Sequence, residues 1–158
     1  MRRLPSSQRS LDEVIQCAFI SWSLGRLDTF FDDLILGDTL QKSDVAYPLG
    51  DNTLIYEHDP VFWHGEERQN DDITKTRKLL NHASNVFVVR GRIGSSQLEL
   101  DHSRLEQFLL SKKSKYIDTL KAVTDTVHKF FPNVVMHLPD KATQKYLISF
   151  AKDKYKII

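Results

Sequence analysis

The sequence predicts an α/β domain with a mixed sheet, and three observations carry that prediction. Residues 11–24 repeat apolar side chains at helical spacing, and residues 44–59 read as two short strands joined by a turn. A polar helical stretch, 71–82, then separates this hairpin from the almost wholly apolar run Val86 to Val89. Such a run is typical of a strand covered on both faces. A helix between two strands is a crossover that lays the second strand beside an earlier one, and this order describes a mixed sheet flanked by helices.

Taken in order, Ser10 begins the first helix as N-cap, and Glu13 three residues later completes a capping-box pattern. Leu11, Val14, Ile15, Ala18, Phe19 and Trp22 follow at helical spacing, and Gly25 ends the run. Phe30 to Leu40 is ambiguous, since Leu34 to Leu36 fits a short strand or a helix end. Asp44 to Tyr47 reads as a strand stopped by Pro48, and Leu49 to Asn52 as a turn. Thr53 to Glu57 is the returning strand. Ile73, Leu79 and Leu80 are the apolar contacts of the polar helix, and Gly91 to Ser96 is a loop. Helices are expected over about 102–111 and 115–131, the latter closed by Pro132. A last helix over about 140–154 places Tyr146, Leu147, Phe150 and Ala151 inward. There is no internal repeat and no low-complexity segment.

Length and composition narrow the class. A chain of 158 residues, 41% hydrophobic and 27% charged, fits one folded domain rather than a disordered chain. The apolar runs are far too short to cross a bilayer, so no membrane association is expected and an intracellular location is, with cytoplasm, nucleus and organelle left open. A single cysteine, Cys17, excludes an internal disulfide and an all-cysteine zinc site, and its apolar neighbours suggest a buried thiol. The basic start could be the front of a transit peptide. Because Asp12 and Glu13 follow at once, residues 1–9 are read as a flexible basic arm. The net charge of +1 hides an asymmetry: residues 111–158 hold ten Lys and four Asp, a net of +6, leaving −5 on the first 110. A basic tail beside an acidic centre suits a protein that grips a polyanion and binds a cation. A solvated helical surface explains the same charges without a partner.

The acids stand in an order that suggests chemistry. Asp44 and Glu57 lie on opposite arms of the expected hairpin, so pairing could bring both carboxylates to one metal ion. Asp59, two residues beyond Glu57, would share its face, and Glu13 could add a further oxygen. Magnesium takes oxygen ligands and keeps several waters, so few carboxylates suffice, and phosphodiester hydrolysis needs such an ion together with a group that takes the proton of water. His64, after Phe62 and Trp63, could accept that proton or touch a phosphate; it could equally be a histidine packed on Trp63. Lys75 could orient the water or neutralise phosphate, and Arg90 could fork onto a phosphate. Taken singly, each acid also reads as a solvated or capping residue.

The segment Leu54-Ile-Tyr-Glu-His-Asp-Pro-Val-Phe-Trp-His64, then Asp72-Ile-Thr-Lys75 with Leu79, then Val86-Phe-Val-Val-Arg90, resembles the core signature of the very-short-patch-repair-like branch of the PD-(D/E)xK nuclease superfamily. Asp44 and Glu57 fall on the branch's two principal acids and Asp59 on the acid two residues after the second. Trp63 and His64 fall on its aromatic-histidine step, Asp72, Lys75 and Leu79 on its helix pattern, and Glu13 where many members carry a helix glutamate. Pro60 stands where a glycine is usual, which removes a backbone donor. Ser84 and Asn85 stand where a glycine usually precedes the apolar strand, and Asp59 occupies the place of the superfamily's lysine. The proton acceptor would then be His64 or Lys75. The branch's zinc-binding cysteines are missing, so no structural zinc is expected.

The resemblance implies a restriction-endonuclease-like αβββαβ core over residues 10–100, with 101–158 as a helical C-terminal extension packed on it. It implies a magnesium-dependent DNA endonuclease, with manganese as a substitute, leaving 5′-phosphate and 3′-hydroxyl ends. Asp44, Glu57, His64, Lys75 and Glu13 would be catalytic, and Asp44, Glu57 and Asp59 would hold the metal. Arg90, Arg92, Lys112, Lys113, Lys115 and Lys121 would contact the backbone of the nucleic acid, which supplies affinity without base specificity. RNA is the other candidate polymer, and a homodimer or a partner protein fits an enzyme cutting both strands. Two further readings stay open: a non-catalytic nucleic-acid-binding module resembling the RAP domains, and a scaffold subunit on the same fold.

Overall fold

A computed structural model describes residues 9–40, 43–60 and 66–156. Helix α1 (Leu11–Ser23) leads through a 3-10 turn (Leu27–Thr29) into α2 (Phe30–Thr39). Strands β1 (Val45–Leu49) and β2 (Asn52–Pro60) form a hairpin, followed by α3 (Glu66–His82), β3 (Val86–Ile93) and β4 (Leu105–Leu110). Helices α4 (Tyr116–Phe130) and α5 (Lys141–Tyr155) complete the described chain. The four strands lie side by side in the order β1-β2-β3-β4. β1 runs antiparallel to β2, while β2, β3 and β4 are parallel. The expected α/β class with a mixed sheet is therefore present. Among the described residues no helix is long and apolar enough to cross a membrane.

Strand alternation sorts the sheet into two faces. Val45, Tyr47, Leu54, Tyr56 and Val89 join the larger core beneath α1, α4 and α5. Ala46, Ile55, Val86 and Val88 join a second core with Leu79 and Leu80 of α3. Ser10 caps α1 as expected, its hydroxyl accepting the Glu13 amide at 3.2 Å. Cys17 is fully buried. In α5, Leu147 and Ala151 are buried and Phe150 is partly buried, but Tyr146 is 58% exposed rather than inward. It sits one position ahead of the buried stripe and only brushes the Phe150 ring, at 6.2 Å.

Other expectations change. The ambiguous Phe30 to Leu40 stretch is helical and packs beside β1. Gly37 permits the approach, since a Cβ there would stand 3.0 Å from the Val45 Cα. The helix expected at about 102–111 is instead strand β4, paired in parallel with β3 from Val88–Leu105 to Ile93–Leu110. Arg104 fixes its start by donating to the Leu80 and Ala83 carbonyls at the end of α3 and to Val86. Backbone pairing to the buried strand β3 outweighs the weak helical pattern of this segment. The region 101–158 is thus part sheet, part helix. Gly91, expected in a loop, lies inside β3, where a Cβ would come within 2.6 Å of the Phe108 ring and 2.8 Å of the Tyr56 hydroxyl. Two strands, not three, precede α3 among the described residues, with α2 ahead of them. Of the expected flexible arm, residues 1–8 lie outside the described residues, whereas Arg9 is buried. Its guanidinium donates to the carbonyls of Asp44, Leu34 (3.0 Å) and Ser43 (3.1 Å).

Candidate active site

Because β2, β3 and β4 are parallel, their carboxyl ends share one edge of the sheet, and the antiparallel β1 begins there. Open α/β sheets commonly bind ligands at this end. The β1–β2 register ends at the Val45–Tyr56 pair, and Asp44 sits at the bend just before β1, near enough to Glu57 for its charge to act on that acid. By alternation Glu57 lies on the α3 face. Asp44 is fixed by the backbone amide of His58, which donates to its Oδ2 at 2.5 Å. Glu57 is 2% exposed. Lys75 reaches it from α3, with Nζ donating to Oε2 at 3.3 Å and lying 3.2 Å from Oε1. Glu57 Oε1 is buried and lacks an aligned hydrogen bond, as does Oε2 of Glu13.

The carboxylates of this cluster repel one another. Burial first, and then the charge of Asp44, push Glu13 from 4.5 to about 9, against the opposing pull of the Ser10 amide and Arg9. Burial pushes Glu57 from 4.5 to about 7, with Asp44 adding to the rise and Lys75 opposing it. Burial alone would lower Lys75, but the charges of Glu57 and Asp44 outweigh it and hold the ammonium above its ordinary value. Three acids crowd a dry site against Lys75, with Arg9 and Arg90 also acting on them; protons relieve that crowding, as the raised values record, and a divalent cation would relieve it in their place. Among the described residues, no group of three or more His, Cys, Asp or Glu is gathered tightly enough to cage a metal. Magnesium does not need one, since one or two carboxylates with its retained waters are its ordinary protein ligands. Oε2 of Glu13 and Oε1 of Glu57, the latter already facing Lys75, are the buried oxygens near Asp44 that such an ion would take.

Asp59 shares the face of Glu57 but is otherwise engaged. Arg90 grips it bidentately, Nε to Oδ2 and Nη2 to Oδ1, both at 2.8 Å, and Arg92 Nη1 adds a contact to Oδ2 at 3.1 Å. Arg90 also donates to the Thr76 hydroxyl at 2.9 Å, and Arg92 to the Ser96 carbonyl at 2.8 Å. Asp72 of α3 completes the group, 3.6 Å from Arg90 and 3.4 Å from Arg92. This corrects three expectations. Asp59 binds guanidinium groups in place of metal, and Arg90 and Arg92, 1% and 0% exposed, are enclosed where a polymer backbone does not reach. Their job is to bind β2, β3 and α3 together.

The remaining expected residues divide. Lys112, Lys113, Lys115 and Lys121 are exposed. Lys112 and Lys115 line a cleft of about 690 Å³ that also includes His58, Pro60 and Ile93 at the strand ends. Lys113 and Lys121 do not line it. His64 lies outside the described residues. Sequence reasoning passed over His58 and Thr76. Alternation could have flagged His58, since a residue between two inward acids must face the other way. There it meets the Tyr56 hydroxyl through Nδ1 at 2.8 Å. No protein family, characterised protein or solved structure matches this chain.

Proposed function

We propose that this protein is a magnesium-dependent nuclease that hydrolyses DNA phosphodiester bonds to leave 5′-phosphate ends. The observation that supports the reading most directly is the meeting of buried Asp44 and Glu57 at the end of the sheet, with Lys75 against Glu57. On this reading Asp44 and Glu57 hold the ion, Glu13 stands behind them, and the sheet with its crossover α3 is a restriction-endonuclease-like core. Bound there, magnesium would neutralise the phosphorus oxygens and lower the pKa of a coordinated water.

The protein's own groups supply the rest. Lys75, kept cationic by Glu57 and Asp44, orients and neutralises a phosphate oxygen rather than accepting a proton. Glu13, raised to about 9, keeps its own proton near neutrality and would accept one from an attacking water only where a bound cation lowers it. Asp59 and the two arginines hold α3 and β2 in the register that sets Lys75 on Glu57. Exposed Lys112, Lys113, Lys115 and Lys121 supply attraction for a polyanion.

The test is plasmid DNA, single-stranded DNA and RNA incubated with magnesium, manganese or EDTA, with Glu57→Ala beside the wild type. Metal-dependent cleavage lost in the variant supports the proposal. Nucleic-acid binding with neither cleavage nor cation binding would replace it with a binding module.

A further inference from the structure

A cleft at the end of the sheet has the size and lining to take one small flat ligand. It lies on the α1 and α4 side of the sheet end, and His58, Pro60 and Ile93 from the ends of β2 and β3 line it with Tyr116 at the start of α4. Lys112 and Lys115, both exposed, stand on its rim. One acid, Asp12, also lines the cleft, and the Tyr116 hydroxyl donates to it at 2.5 Å. The walls offer a half-buried aromatic ring and aliphatic surface for a flat base, and two lysines against one engaged acid for a phosphate. A volume of about 690 Å³ sits within the roughly 300–1,000 Å³ usual for single small ligands. A base still paired in a duplex cannot enter a space of that kind.

The position relative to the acids decides the ligand. Glu57 and His58 are consecutive on β2, and alternation sends the first to the acid cluster and the second to the cleft. A strand draped over the carboxyl end of β2 would meet both within one nucleotide step. From this, and resting on the nuclease reading, we propose that the cleft takes an unpaired nucleotide next to the scissile phosphate, so that the substrate is single-stranded or locally unpaired nucleic acid. Lys112 and Lys115 hold its phosphate, and Tyr116 and Ile93 hold its base.

Binding is read without cleavage, in EDTA, by fluorescence anisotropy of labelled single-stranded DNA, single-stranded RNA and blunt duplex DNA. The wild type is expected to favour a single strand over duplex by about tenfold, the scale of one stacked base. Ile148 of α5 also lines the cleft; Ile148→Trp, which fills it, abolishes that preference, and Lys112→Gln with Lys115→Gln weakens single-strand binding in a salt-dependent way. Circular dichroism confirms that the variants fold. Equal affinity for single strand and duplex overturns the proposal, as does a preference that survives Ile148→Trp in a folded protein. Single-strand preference without magnesium-dependent cleavage would keep the cleft as a site for an unpaired nucleotide but overturn its place beside a scissile phosphate, along with the nuclease reading.

Discussion

Lys75 Nζ straddles the buried carboxylate of Glu57, 3.2 Å from one oxygen and 3.3 Å from the other. The pair joins α3 to β2 and sets the only cation of α3 shown touching the acid cluster. If Lys75 orients a phosphate oxygen, Lys75→Met should reduce cleavage by about a hundredfold or more, the usual cost of removing a positioned catalytic group. Cation affinity should hold or rise, because a neighbouring positive charge has gone. Titration calorimetry with manganese, beside a cleavage assay, separates the two effects. Loss of both together would make Lys75 a prop for the metal site.

The raised acids predict an unusual pH profile. Glu13 and Glu57 move from 4.5 to about 9 and about 7 on folding, so between these values the folded state binds more protons than the unfolded one. Stability then falls as pH rises: their contribution is complete below about 4.5 and is lost through 7 and 9. Without divalent ions the melting temperature should drop from pH 6 to pH 9. Glu13→Gln should flatten the decline and raise the pH 9 value by a few degrees, about 2–4 °C per kcal/mol for a chain of this size. Magnesium should stabilise more at pH 9 than at pH 6, since it takes the place of protons. A melting temperature unchanged across this range would reject charge crowding at the site.

Arg90→Met should be costly. It strips the bidentate partner from Asp59 and leaves a charge enclosed with Arg92 alone, and breaking a buried pair typically costs about 3–5 kcal/mol. Urea unfolding with an unchanged slope would read this directly. A loss below about 1 kcal/mol, as for an exposed pair, would mean that water reaches Asp59.

Gly91→Ala tests the packing around Tyr56. The new methyl would press on Phe108 at 2.6 Å and on the Tyr56 hydroxyl at 2.8 Å, and overpacking of this kind costs about 1–3 kcal/mol. Adding Phe108→Leu should restore part of the loss in chemical denaturation. An Ala variant as stable as the wild type would show that the Phe108 ring moves aside freely.

The sequence displayed α1 and the hairpin because their signals are local: a capping serine, one apolar stripe, and alternation ended by Pro48 and Gly50. It also brought Asp44 near Glu57, since antiparallel pairing and a tight turn set Asp44 one step beyond the Val45–Tyr56 pair. Strand β4 was hidden because its state depends on β3, more than ten residues upstream, and on Arg104 capping a different helix. Gly91 looked like a loop residue because the side chains filling its space, Tyr56 and Phe108, are remote in the chain. Asp59, Arg90 and Arg92 looked like functional groups for a related reason. Isolated charges in a sequence are presumed to meet solvent or ligand, and only coordinates reveal that these three meet one another.

The arginine cage around Asp59 also gives the sheet a sense of phase. If β2 slipped by one residue, His58 would face the guanidinium groups of Arg90 and Arg92, and Asp59 would be thrust among the aromatic rings on the opposite side. Hydrocarbon side chains would forgive such a shift; ionic partners would not. The alignment that aims Glu57 at Lys75 is thereby proofread by a trio of charges two residues away, so substitutions that never touch the acid cluster could still blur it by letting the strand choose the wrong frame.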